Sequence, residues 1–207
     1  MLPFQDAAPT PAGDWRHIVR FGRNVASYKF SLGQALLDLA ARQQTFVPLP
    51  ELAVPYAAGL CEHLQVEDRQ STSAQSQFLD ACRSRNRGDL DAAQLAEAAV
   101  RLGFADVIDA FHVSRGGQPT PTRFFVDERA SRQGITLTDR LLELANGQQA
   151  KVLPVEVDAR WNLVQLSWAC GWVPPWCHSK WPRMKTPSTC TRPPGCAAAP
   201  SPVSGPR

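Results

Sequence analysis

The stretch Ser31–Arg42, S-L-G-Q-A-L-L-D-L-A-A-R, decides the fold class. Leu32, Ala35, Leu36, Leu39 and Ala40 recur at the i, i+3, i+4, i+7, i+8 spacing that puts them on one face of an α-helix. Ser31 is the expected cap at its start. The same period continues on both sides. Upstream, a helix opening after Asp14, an expected N-cap, sets Trp15, Ile18 and Val19 on one side and Arg16, Arg20 and Arg23 on another. Residues 1–13 hold three Pro and no apolar period, and read as a flexible lead-in.

Downstream, Pro48 and Pro50 end the connection, and Pro55 fits the first turn of a new helix, where its missing N–H costs little. Tyr56, Leu60 and Leu64 follow at intervals of four. A polar loop over 66–74 leads to a helix marked by Phe78, Leu79 and Cys82, then a turn at Gly88-Asp89. Asp91 caps a helix in which Leu95, Ala98, Ala99 and Leu102 share a face, with Gly103 as its stop. Val107, Ile108 and Phe111 continue as another. The pattern changes after Gly116-Gly117. Arg123 to Val126 reads as a short strand and Ile135 to Thr138 as its partner. Thr138 caps a short helix carrying Leu141, Leu142 and Ala145. Pro154 opens the last one, where Val157, Trp161, Val164 and Trp168 fall on one face. The fold expected is mainly α: a helical domain over 14–171 with a small β-hairpin around 123–138, followed by a disordered Pro-rich tail over 172–207.

Residues 172–207 hold nine of the 18 Pro and no Leu, Ile, Phe, Asp or Glu. Such composition buries too little apolar surface to offset chain entropy. Residues 1–171 carry 17 Lys+Arg against 19 Asp+Glu, whereas the tail carries five basic residues and no acidic one, so the basic pI belongs to the tail. No secretory signal and no apolar run of bilayer-spanning length is visible, which makes the cytoplasm the expected location and a membrane partner unexpected. Without a secretory signal the six Cys are not read as a disulfide framework. Cys61 and Cys82 read as small core residues.

Four stretches stand out together: W-R-H-I-V-R-F-G-R-N-V-A-S-Y-K-F-S-L (Trp15–Leu32), R-L-G-F-A-D-V-I-D-A-F-H-V (Arg101–Val113), R-F-F-V-D-E-R (Arg123–Arg129) and E-V-D-A-R-W-N-L-V (Glu156–Val164). They resemble the N-terminal helical region of bacterial HNH-endonuclease-domain proteins. The resemblance covers roughly residues 14–170. It implies a catalytic module after the helical region, with a His activating water, a divalent metal on the phosphate and often zinc held by Cys-x-x-Cys pairs. The sequence beyond 171 contains no Cys-x-x-Cys and no His-Asn-His constellation. No catalytic residue, metal ligand or cofactor is therefore assigned to this chain. The abrupt change to Pro, Arg, Cys and Trp suggests a shift of reading frame near Cys170–Trp172. A natural Pro-rich linker is the alternative.

The expectation is a truncated HNH-type relative that keeps an accessory, DNA-positioning domain and does not cleave alone. Arg16, Arg20, Arg23 and Lys29, extended by Arg83, Arg85 and Arg87, are its candidate phosphate contacts. A solvated helix face is the competing account, because a charge-balanced domain lacks a strong basic stripe. The alternative function is a stand-alone helical module binding nucleic acid or protein, and an inert product of a damaged gene is the third. Asp109 and His112, three apart, could form an acid/base pair, but such a His is more often a satisfied structural residue. Cys177, His178, Cys190 and Cys196 have zinc-ligand chemistry without knuckle spacing. Asp127-Glu128 lacks the Glu-x-Lys of restriction-type sites. Trp161 and Trp168 could stack on bases, yet their spacing favours the core. Phosphate-binding loops, nucleophile elbows and dinucleotide fingerprints are absent from the sequence.

Overall fold

A computed structural model describes residues 10–22, 26–73, 75–113 and 117–170. Arg23, the lead-in before residue 10, and the expected tail with its Cys and His lie outside the described residues. The rest is mainly helical with one small antiparallel sheet.

Helix α1 (Pro11–Phe21) starts earlier than the sequence suggests. Thr10 is the cap, its hydroxyl accepting from the Gly13 N–H at 3.1 Å, and Pro11 supplies a first-turn φ already set for a helix. Asp14 therefore sits in the first turn, where it accepts a hydrogen bond from the Thr122 hydroxyl at 2.5 Å. Helix α2 (Tyr28–Ala41) also begins early, after Ser27. Ser31 is thus not a cap but an interior residue, and its hydroxyl donates to the Tyr56 carbonyl at 2.5 Å. The apolar stripe that opens the sequence reading is real: Leu32, Ala35, Leu36, Leu39 and Ala40 are each at most 1% exposed. This helix is the centre of the fold, packed against α1, α3, α8 and α9.

Strand β1 (Phe46–Pro48) runs straight into α3 (Leu49–Val66). Pro50, not Pro55, occupies the first turn. Pro55 lies inside the helix, where it forgoes the bond to the Glu51 carbonyl. Helix α4 (Gln77–Arg87) ends on Gly88 at φ 86°, and α5 (Ala92–Ala98) opens with a reciprocal capping box between Asp91 and Gln94. A single π turn, Ala99–Gly103, extends α5. Gly103 does not stop the helix at a left-handed residue. It lets the backbone approach two rings: a Cβ there would lie 2.8 Å from Phe78 and 2.9 Å from Tyr56. The Tyr56 hydroxyl donates to the Gly103 carbonyl at 2.9 Å.

After α6 (Val107–Ala110) come β2 (Phe125–Glu128), α7 (Arg129–Arg132) and β3 (Gly134–Leu137). The expected hairpin forms, each strand displaced slightly from its expected bounds, and β1 adds a third strand. The order is β1-β3-β2, with Phe46 opposite Thr136 and Phe125 opposite Leu137. Helices α8 (Asp139–Asn146) and α9 (Val152–Ala169) complete the described chain. Thr138 precedes α8, but its hydroxyl donates to the Arg123 carbonyl rather than capping the helix. Aromatic clusters fill the core: Trp15 with Phe111 and Phe124, Tyr56 with Phe78 and Phe104, and Phe30 with Trp161. Among the described residues no helix is long and apolar enough to cross a membrane.

Candidate functional site

The basic residues singled out in the sequence separate in the fold. Arg16 makes a two-pronged bond to Glu156, Nε to Oε2 at 2.7 Å and Nη2 to Oε1 at 2.9 Å, and so ties α1 to α9. The bond holds the Glu156 carboxyl below its ordinary range. Arg20 is exposed beside it, and its carbonyl accepts from Arg160 at 3.2 Å. Lys29 is buried at 5% exposure, with Nζ 3.4 Å from the Val113 carbonyl, and burial lowers its pKa to about 8. Arg83 bonds Asp68 and Asp80, Arg87 bonds Asp89, and Arg85 donates to the Leu90 carbonyl. Arg16 and Arg20 thus share one groove, while Lys29 lies inside.

The other chemistry-bearing candidates among the described residues are engaged in contacts within the fold. His112 is 2% exposed; its Nε2 accepts from the Phe124 N–H at 2.9 Å, and burial lowers its pKa to about 3. Asp109 instead pairs with Arg129, which also bonds Asp127. Arg132 holds Glu128. Trp161 and Trp168 are both fully buried.

Sequence reasoning missed a polar network joining α3, α9 and the loop after α3. Trp161 Nε1–H can only donate, so the Gln70 Oε1 2.9 Å away is an acceptor, shared with the Ser27 hydroxyl at 2.6 Å. The Gln70 amide nitrogen then faces the Glu67 carbonyl at 2.9 Å and Gln165 Oε1 at 3.2 Å. With Gln165 accepting, His63 Nδ1, 2.9 Å from the same oxygen, carries a hydrogen. His63 Nε2 lies 3.2 Å from Asp158, and its ring stacks on Trp161 at 3.5 Å. A groove of about 740 Å³ lies over this network. It has an oriented imidazole and three carboxylates, on Asp38, Glu62 and Asp158, and among its described lining residues there is no Ser, Thr or Cys.

The outer face of α9 is the unusual surface. Val152, Val155, Ala159, Leu163 and Leu166 follow one another at steps of three or four and are all exposed, the four large ones by 48–66%. An ordinary surface helix puts Glu or Lys on this row. Beside it, between α1 and α9, runs a second groove of about 600 Å³. Val19, Phe21, Val157 and Leu163 supply apolar lining, and Arg16, Arg20, Arg160 and Glu156 its charge. Phe21 is itself 56% exposed. The signal for this face was present in the sequence as a second apolar row at helical spacing.

No family model, curated protein or solved structure matches the chain.

Proposed function

We propose that this chain is a non-catalytic helical binding module that holds a protein partner against the outer face of α9. The carrying observation is that α9 is apolar on two opposite faces, one packed into the core and one in solvent. Contiguous exposed apolar surface on a folded domain marks an interaction site. The resemblance of residues 15–32, 101–113, 123–129 and 156–164 to the helical region of HNH-type nucleases supports an accessory role in the cytoplasm. In that family the catalytic module follows the helical region.

A DNA-positioning role is the second reading, and Arg20 with Arg160 on the α1/α9 groove favours it. Against it stand the carboxylates bonded to Arg16, Arg83 and Arg87, and the burial of Lys29. The test uses the full chain and a synthetic amphipathic helical peptide with a Leu stripe and uncharged Gln and Ser flanks. Binding is expected by fluorescence anisotropy, weakened about tenfold or more by Leu163→Asp. Absence of binding, together with a steeply salt-dependent DNA affinity that Arg20→Glu removes, would turn the assignment to DNA. Purified protein with added divalent metal is expected to leave plasmid DNA uncut.

A further inference from the structure

Cys61 and Cys82 read as separate core residues in the sequence, and the fold brings them together. Cys61 stands on α3 and Cys82 on α4, and these helices pack against each other. Cys61 Sγ lies 3.7 Å from the Cys82 carbonyl oxygen, and the two thiols are within hydrogen-bonding reach of one another. Neither is in a disulfide. Close by, the Asn86 side chain donates to the Cys61 carbonyl at 2.8 Å and ties α4 to α3 at the same level. The pair is not symmetric. Cys82 is fully enclosed, whereas Cys61 is 8% exposed and borders a groove of about 570 Å³ between α3, α4 and α5. The hydrogen bond with Cys82 lowers the pKa of the Cys61 thiol, and the Arg85 charge adds to this, against burial and Glu62. The same hydrogen bond, with burial, raises that of Cys82. A reactive cysteine differs from an inert one in these respects: thiolate character, a cation nearby and an opening to solvent.

We propose that Cys61 and Cys82 form an oxidant-sensitive dithiol, in which hydrogen peroxide oxidises Cys61 and Cys82 closes a disulfide on it. The Cys61 thiolate attacks one peroxide oxygen. The O–O bond breaks, and the departing hydroxide takes up a proton and leaves as water. Cys61 then carries a sulfenic acid, S–OH. The Cys82 sulfur attacks the Cys61 sulfur, the S–O bond breaks, and the Cys82 proton leaves with the hydroxyl as a second water. The two thiols lose two electrons and the peroxide gains them. The new bond joins α3 to α4 and closes residues 62–81 into a ring. That ring holds Gln70, the acceptor for Trp161 of α9. Oxidation therefore pins the segment that anchors the inner face of α9, and thiol exchange releases it.

The full chain is treated with hydrogen peroxide, its remaining thiols are alkylated, and it is digested without reduction for mass spectrometry. The exposed Cys170 serves as an internal clock for oxidation. A Cys61–Cys82 disulfide is expected, lost on treatment with dithiothreitol. Cys82→Ser is expected to leave a sulfenic acid at Cys61 that dimedone traps, and Cys61→Ser is expected to leave Cys82 a free thiol. In wild type quenched early, dimedone is expected on Cys61 about tenfold or more over Cys82. The urea midpoint of the oxidised chain is expected to rise and to fall back on reduction. Cys61 and Cys82 both still alkylated after Cys170 has been oxidised overturns the proposal. So does a disulfide from Cys61 to Cys170, Cys177, Cys190 or Cys196 in place of Cys82, and so does dimedone on Cys82 ahead of Cys61. A disulfide without a rise in the urea midpoint overturns the pinning of residues 62–81.

Discussion

The inner and outer faces of α9 are built from similar residues and do different work. Inside, Leu153, Val157, Trp161, Val164 and Trp168 are each at most 1% exposed. Outside, Val152, Val155, Leu163 and Leu166 are exposed by 48–66%. The inner row is set apart by size and by polar anchorage. It holds the two Trp residues of this helix, and Trp161 stacks on His63 and donates to the Gln70 side chain. The outer row has no aromatic and no hydrogen-bonding group. Apolar period alone therefore says that a face is made to be covered, without saying whether the fold or a partner covers it.

The sharpest break of this comparison is Trp161→Ala. It empties the core, removes the ring stacked on His63 and leaves the Gln70 network one donor short. A loss of roughly 3–5 kcal/mol is expected in urea unfolding. Lys29 reverses the same sorting rule, since a charge sits inside while apolar residues sit outside. Its pKa of about 8 lies below the ordinary 10.5, so burying the charged form costs stability at neutral pH. The folded state binds fewer protons than the unfolded one between those values. The penalty is full below pH 8 and fades as pH rises toward 10.5. Lys29→Met is therefore expected to stabilise the protein by about 2–3 kcal/mol at pH 7, with the advantage over wild type shrinking as pH climbs through that window. A constant advantage across pH would show that the ammonium is solvated.

Gln165→Leu tests the anchorage of the inner row. It removes the acceptor shared by His63 and Gln70, with an expected cost of about 1–2 kcal/mol. Nitrogen NMR of the wild-type imidazole is expected to show a hydrogen on Nδ1, and in the variant that preference is expected to weaken. The smallest effect is on the outer row. Leu163→Asp is expected to change stability by less than about 0.5 kcal/mol, because no core contact is lost. A cost above about 2 kcal/mol would place Leu163 in the core rather than on a docking face.

What the sequence reveals follows from how local each signal is. The α2 stripe, the Asp91 cap and the inner row of α9 are each carried by neighbours within a few turns, and all three stand in the structure. Strand β1 is three residues long and ends in Pro, which is tolerated because the strand lies at a sheet edge; nothing in that triplet announces a strand. Pro55 reads as a helix start because helix interiors normally reject it, yet Pro48 and Pro50 already serve the N-terminus. The His63–Gln165–Gln70–Trp161 network escapes a linear reading because it joins α9 to α3 and the loop after α3, about 100 residues away in sequence. The Arg16–Glu156 bond is hidden in the same way. It converts an arginine face that could have met phosphate into a strut between two helices.

The order of the sheet bears on when the chain can fold. Strand β3 lies between β1 and β2, so Phe46–Pro48 meets its sheet partner among the described residues after most of the described domain has been made. During synthesis on the ribosome, α2 and α3 emerge early with nothing to close the strand that joins them. Helix α9, which covers Phe30 and the Gln70 network, emerges after the other described elements. A ribosome that stalls before Gly134 releases a chain with an open strand and an uncovered core. Such a chain invites chaperone capture, whereas one released after α9 has the long-range contacts of the described core within reach.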